Sequence, residues 1–272
     1  MLFNLLIILG VAVLSMALRT YSSMVTQKLG ALGVFTTSFL IGYLLLGSVA
    51  VGVACASSWL LLPWLELLTR IRRLRLPLEK NLRHKTPPGR EVFPALNDLT
   101  EEIEEEKFEF VDDAGWDWED YQQFFRLFYK PNERTQAAVC MVDQDDIAFY
   151  YLSISSRAKN GTIWTTWNYP FSYSLKLAPQ WKINRLRGEC SFLEMHESHR
   201  YWLQRNGVTV ENLEELDPEK IQAETQKDLR AQITHNLAKG VLTKTAEGQI
   251  RYSWRGLFFI WFQFLRDLVR FS

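Results

Sequence analysis

Apolar residues crowd the start of this chain in two long uncharged runs and then give way to short alternating ones. Leu2 to Leu18 reads LFNLLIILGVAVLSMAL, with Asn4 as its one strongly polar side chain. A helix of that length, rising about 1.5 Å per residue, just crosses a hydrocarbon layer of about 30 Å. Its first residues carry no Lys or Arg, so it reads as a retained helix and not as a signal peptide. The second run, Ala31 to Leu62, has no charge and is longer than a bilayer needs. Its division predicts a spanning helix over 31–56 and an interfacial stretch to residue 69. Trp59 and Trp64 mark that interface, where indole rings prefer to sit, and Pro63 kinks or restarts the helix. The first unit is therefore a two-helix transmembrane hairpin, 1–69. Gly30, Gly33, Gly42 and Gly52 suit it to close helix packing.

Residues 70–97 form a basic, proline-rich linker with Pro77, Pro87, Pro88 and Pro94. An acidic block runs from Asp98 to Asp120, with Lys107 as its one base. It reads as a solvated or flexible segment that could fold back on the basic linker. Asp117 to Tyr129 looks helical: Asp117 is a good N-cap, and Trp118, Tyr121, Phe124, Phe125 and Phe128 recur at three- and four-residue steps. Strands are expected at Thr135–Val142, Ile147–Ser155 and Thr162–Tyr169, and a fourth near 172–177. Asn160-Gly161 makes a hairpin turn between two of them. Helices are expected over 190–206 and from Pro218 to Lys239, the latter with a narrow stripe of Ile221, Leu229, Ile233 and Leu237. A short hairpin around Glu247-Gly248 follows. The soluble unit is thus an α+β domain, 98–254, with a small antiparallel sheet plus helices. Residues 255–272 close the chain as an interfacial amphipathic helix with Phe258, Trp261, Phe262 and Leu265 on its apolar side and Arg266 and Arg270 at headgroup level.

Charge sets the orientation. Arg70, Arg72, Arg73 and Arg75 follow the apolar run directly, whereas the loop between the two spans holds only Arg19 and Lys28. The positive-inside rule then places the C-terminal domain in the cytoplasm, and two spans place the N-terminus there too. The expected location is a bacterial inner membrane or its equivalent. Lys plus Arg equals Asp plus Glu, 31 each, which argues against a nucleic-acid partner. The expected partners are the lipid bilayer and other membrane subunits or a second copy. Cys55, Cys140 and Cys190 have no short spacing and read as reduced, buried thiols.

Chemistry is sparse. There is no Gly-rich phosphate loop and no nucleophile elbow, and no cofactor or catalytic residue is assigned. The candidate worth following is Glu194-Met195-His196-Glu197-Ser198-His199. Its histidines are three apart, not the four of HExxH, and a metal would need a further ligand such as His235 or Cys190. The preferred reading is a plain helix with His199 and Arg200 turned to solvent or to an acidic partner. Function is accordingly expected to be that of a non-enzymatic membrane-anchored interaction protein, a subunit or assembly factor. The alternatives are a ligand-sensing transmembrane effector, with a pocket of Trp164, Trp167, Tyr169 and Arg185 or Arg187, and a lipid-acting enzyme using His196 or His199.

Overall fold

The computed structural model describes residues 2–21, 23–119, 121–144, 147–171, 173–186, 190–245 and 248–270. Asp120, Arg187 and Glu247, named above, lie outside the described residues, as do residues 172 and 271–272 of the segments expected over 172–177 and 255–272.

The N-terminal region holds three long apolar helices, not a hairpin: α1 (Leu2–Thr20), α2 (Met24–Leu46) and α3 (Val49–Glu66). Leu2–Thr20, Val25–Leu46 and Val49–Ile71 are each long and apolar enough to cross a membrane. The second run is cut at Gly47, whose φ of 69° ends α2 while its N–H donates to the Tyr43 carbonyl. That left-handed conformation costs glycine little. Both halves reach spanning length by taking in polar flanks, Lys28 within α2 and Glu66 at the end of α3. The three helices pack antiparallel through their small residues. The Ser15 hydroxyl donates to the Gly30 carbonyl at 2.6 Å, and Asn4 Nδ2 to that of Leu44 at 3.1 Å. A Cβ on Gly42 would sit 2.7 Å from the Gly52 Cα, so α2 and α3 touch backbone to backbone. Arg19, Lys28 and the Arg70–Arg75 cluster consequently lie at one end of the bundle, and the start of α1 lies at the other with the Gly47 turn.

The chain does not leave α3 at Pro63. A π turn, Leu67–Ile71, continues it, with the Arg72 N–H donating to the Leu67 carbonyl at 2.8 Å. Leu67 is 0% exposed. It packs with residues of the polar half of the chain: Ile233, Val241, Leu242, Ile250, Tyr252, Leu257 and Ile260. The apolar bundle and the sheet-rich region therefore share one core. The linker, expected to be irregular, contributes two short strands. β1 (Leu76–Pro77) pairs with β10 (Gln249–Tyr252), which pairs with β9 (Leu242–Lys244). β2 (Arg83–His84) adds to the edge of the main sheet.

That main sheet has seven strands in the order β2, β3 (Glu109–Trp118), β4 (Tyr121–Lys130), β5 (Thr135–Gln144), β6 (Ile147–Arg157), β7 (Ile163–Trp167) and β8 (Trp181–Arg185). All neighbours are antiparallel except β7 and β8. The segment expected to be a helix from Asp117 to Tyr129 is the β3–β4 hairpin. Its sheet is covered on both faces, so both sides of β4 must be apolar. Phe124 and Phe128 enter one core, and Phe125, Leu127 and Tyr129 the other. A two-sided aromatic strand reproduces the three- and four-residue steps of a helix, and Phe and Tyr favour the pleated surface. The expected strand near 172–177 is replaced by β8 at 181–185.

The acidic block splits in two. Glu101, Glu102, Glu104 and Glu105 face water on α4 (Leu96–Glu105), while Glu109, Asp112, Asp113 and Asp117 lie on β3. Part of it does fold onto the linker: Asp112 meets His84 at 2.9 Å, and Asp117 pairs with Lys85. Asp113 is buried and bound by both Arg126 nitrogens, Nε at 2.9 Å and Nη2 at 2.8 Å. α4 and α5 (Phe192–Arg205) cover one sheet face, and α6 (Ile221–Ala238) covers part of the other. The narrow stripe of α6 is widened by two amides. Gln232 and Asn236 are buried and clamp the backbone of Lys176 and Ala178.

α7 (Trp254–Arg270) packs against α2, α3 and the π turn. Leu257 and Ile260 pack around Leu67, Phe258 and Trp261 stack on Trp64, and the Trp261 indole donates to the Leu60 carbonyl at 2.8 Å. As α7 advances its contacts move back along α3, so the two run antiparallel.

Candidate functional site

Ser191 starts α5 with a capping box, its hydroxyl accepting from the Glu194 N–H while the Glu194 carboxylate accepts from its own. That phase points His196 and His199 inward, each 1% exposed. His196 Nδ1 lies 2.9 Å from the Glu106 carboxylate and Nε2 2.7 Å from that of Glu133. Both ring nitrogens thus face carboxylate oxygens, which only accept hydrogen bonds. Glu133 also meets Lys130 at 2.8 Å. Burial pushes the Glu133 carboxyl up, but the hydrogen bonds from His196 and Lys130 outweigh it and hold it at about 2.

His199, one turn on, meets only hydroxyls: Ser156 Oγ lies 3.0 Å from Nε2 and Thr166 Oγ1 2.9 Å from Nδ1. Burial pulls its imidazole down to about 3, so the ring is neutral. The solvent-facing role expected of His199 thus falls to Arg200 alone, which is exposed. The acidic partners belong to His196. Ser156 and His199 do not form a nucleophile–base pair, because the second ring nitrogen meets a hydroxyl instead of an orienting carboxylate. Ser156 is buried as well. No group of three His, Cys, Asp or Glu side chains is placed to hold a metal ion among the described residues. As arranged, the two histidines lock α5 to the sheet.

Most of the residues expected at a membrane interface lie near the basic end of the bundle, while Trp59 sits at mid-bundle against α2. The Trp59 indole donates to Ser38 Oγ at 2.8 Å, and Trp64 lies under Phe258 with ring centres 4.9 Å apart. Arg70 pairs with Glu66, and the Arg72 guanidinium sits 4.0 Å over the Trp254 ring. Arg75 caps the helix end on the carbonyls of Arg72, Arg73 and Leu74, while Arg73 is exposed. Phe262 is exposed and Leu265 half-buried.

A third cluster lies on the α6 side of the sheet, beyond the helix's reach. Trp116 stacks on Tyr121 at 4.7 Å, and the Lys80 ammonium sits 4.5 Å from the Trp116 ring centre. Across the strands follow Cys140 and Tyr151, paired in register, then Trp167 and Tyr169. Lys80 has no carboxylate partner among the described residues, and burial lowers it to about 8. Burial raises the Tyr121 and Tyr151 phenols, the Tyr252 phenol to about 12, and the Cys140 thiol to about 12. A groove of about 440 Å³ opens beside it, lined by Trp116, Trp118, Asn81, Arg83 and Lys85. Trp167, Tyr169 and Arg185 do come together as expected: Trp167 and Tyr169 are 5.6 Å apart, and Arg185 Nε donates to the Tyr169 carbonyl. Trp164 does not join them. It lies on the opposite face against Trp202.

No family model, no curated protein and no solved structure matches this chain. Function therefore rests on these sites alone. Lys80 is a residue that sequence reasoning left unassigned within the basic linker. Nothing local distinguishes it from Arg83 or Lys85; the Trp116 and Tyr121 rings of the β3–β4 hairpin single it out.

Proposed function

We propose that this chain is a membrane-anchored, non-enzymatic interaction protein, a subunit that holds its sheet domain at a set orientation to the bilayer and presents it to another membrane protein. The observation that carries this reading is the core around Leu67, in which the last turn of α3 packs directly with α6, β9, β10 and α7. A tethered domain needs no such core, whereas a docking platform does. The clustering of Arg19, Lys28 and Arg70–Arg75 at one end of three antiparallel helices supports a cytoplasmic domain with the start of α1 on the far side. This topology explains the charge distribution better than a hairpin, which strands Arg19 and Lys28 outside. Purification of the full-length chain in mild detergent, with its mass measured by light scattering, tests the reading. A second polypeptide in fixed stoichiometry is expected. A chain that purifies alone, as a stable monomer or homo-oligomer, rejects it.

The Lys80 cluster favours a second reading, a ligand-sensing effector. A half-buried ammonium with no counter-ion among the described residues is costly, and an anionic small molecule on the aromatic wall would offset that cost. Lys80→Met is then expected to strip a small anion seen by native mass spectrometry of the intact chain. If no anion accompanies the unaltered protein and Lys80→Met merely raises Tm, the ammonium has no ligand and this reading falls.

A further inference from the structure

α7 is apolar on both sides: Leu257 and Ile260 are buried in the core, yet large rings also face outward. On its open side Trp254, Phe258 and Phe262, spaced four apart, are 53%, 55% and 59% exposed. On its closed side Gln263 is 5% exposed, and the Arg266 Nε one turn later is also buried. A helix bathed in water would hide the aromatic rings and expose the amide. The arrangement is instead that of a helix whose surroundings are less polar than its protein neighbours. Polar and ionisable groups within a bilayer turn toward the bundle in this way.

The path of α7 supplies the same answer independently. Its first residue sits under the Arg72 guanidinium, among the bases that end the apolar bundle. From there α7 tracks back along α3, from Leu67 beside Leu257 to Leu60 beside Trp261. Seven residues of α3 correspond to about 10 Å of depth. α3 and the π turn after it expose leucines along the same stretch, Leu61, Leu65 and Leu68.

We propose that α7 is a re-entrant membrane helix: it starts at headgroup level and descends into the leaflet beside α3, with Trp254, Phe258 and Phe262 against the acyl chains. The occupant of this face is lipid of the bilayer that holds α1 to α3. Arg72, Arg73 and Arg255 stand where anionic headgroups are met, and the Trp254 ring lies among them as interfacial indoles do. The inference does not depend on a protein partner. It makes the domain a unit tied to one leaflet at two places, through the π turn after α3 and through α7.

Photo-crosslinking tests it on the full-length chain in vesicles of phosphatidylethanolamine and phosphatidylglycerol. The probe amino acid p-benzoyl-phenylalanine replaces Phe258 or Phe262 in turn, and Tyr201, exposed on α5, serves as the aqueous control. Lipid adducts on the peptides carrying positions 258 and 262, and none above background at 201, are the expected result. Positions 258 and 262 behaving like 201 would place the stripe in water and overturn the proposal. Adducts to a second copy or to another protein would also overturn it, because the face would then be a protein interface. Both replacements keep an aromatic ring, and a far-ultraviolet spectrum matching the unaltered chain confirms that the reporter has not unfolded it.

Discussion

Leu67→Asp is expected to abolish the folded state of the sheet domain, and Leu67→Ala to weaken it by about 2–5 kcal/mol. Leu67 has no exposed surface, and its neighbours come from α6, β9, β10 and α7 as well as from its own turn. Truncation to alanine removes buried methyl groups and leaves a cavity that five elements would have to collapse together. Whole-domain stabilities are typically about 5–15 kcal/mol, so the loss is a large fraction of the total. Aspartate adds a charge with no counter-ion in an apolar core, a penalty beyond the cavity. Leu68, the next residue, is exposed on the bundle surface and gives the control. Denaturant unfolding of the detergent-solubilised full chain, followed by tryptophan emission, should show a much lower midpoint for Leu67→Ala than for Leu68→Ala. Equal midpoints would mean that the bundle and the domain do not share a core, and the proposed function would lose its support.

The second large effect is expected at His196. Replacing it by Leu removes the ring nitrogens that meet Glu106 and Glu133 and leaves both carboxylates without that partner. Leaving a buried polar group unpaired costs about 1–3 kcal/mol for each group. Gln, which can still donate one hydrogen bond, should cost less. The acid limb of stability changes as well. Glu133 is held at about 2 in the folded chain, against an ordinary value of 4.5. Its contribution is therefore present above about pH 4.5 and is lost as pH falls toward 2. His199 acts in the same direction through another cause. Folded, it resists protonation down to about pH 3, while the unfolded imidazole takes a proton near 6.5. Between those values each unit of acidification favours the unfolded chain by about 1.4 kcal/mol. Stability of the full chain should decline below about pH 6.5. His199→Gln should remove the first part of that decline, and His196→Leu should shift the Glu133 part upward in pH. A flat profile from pH 7 to 4 would contradict the buried, neutral His199.

Several elements were legible without the fold. Local signals placed the helix around His196 within two residues, the Asn160-Gly161 turn, the start of the helix at Pro218 and the short hairpin before α7. Each rests on chemistry that acts over a few residues: a capping hydroxyl, a glycine with positive φ, a proline at the first turn of a helix. The apolar N-terminus was legible as membrane-seeking for the same reason, since hydropathy is a sum over one segment. The count of helices was not. A run without charges carries no mark of where it turns, and the turn at Gly47 is set by the close approach of Gly42 to Gly52. Nor was β4, where pattern alone could not tell a strand buried on both faces from one apolar side of a helix.

The sites divide along the same line. The type and spacing of His196 and His199 were plain, but their surroundings differ, one ring lying between carboxylates and the other, neutral, between hydroxyls. Only Glu106, Glu133, Ser156 and Thr166, tens of residues away, decide which is which. Lys80 became distinctive through Trp116 and Tyr121, which the β3–β4 hairpin brings over it. The sequence by itself determined a membrane-seeking N-terminus, a basic collar after it, an α+β region and an aromatic C-terminal helix, because each follows from short-range pattern. The tertiary structure alone decided that the collar gathers at one end, that bundle and domain share a core, and that α7 turns its rings outward. Those are properties of contacts between distant segments, which no local pattern records.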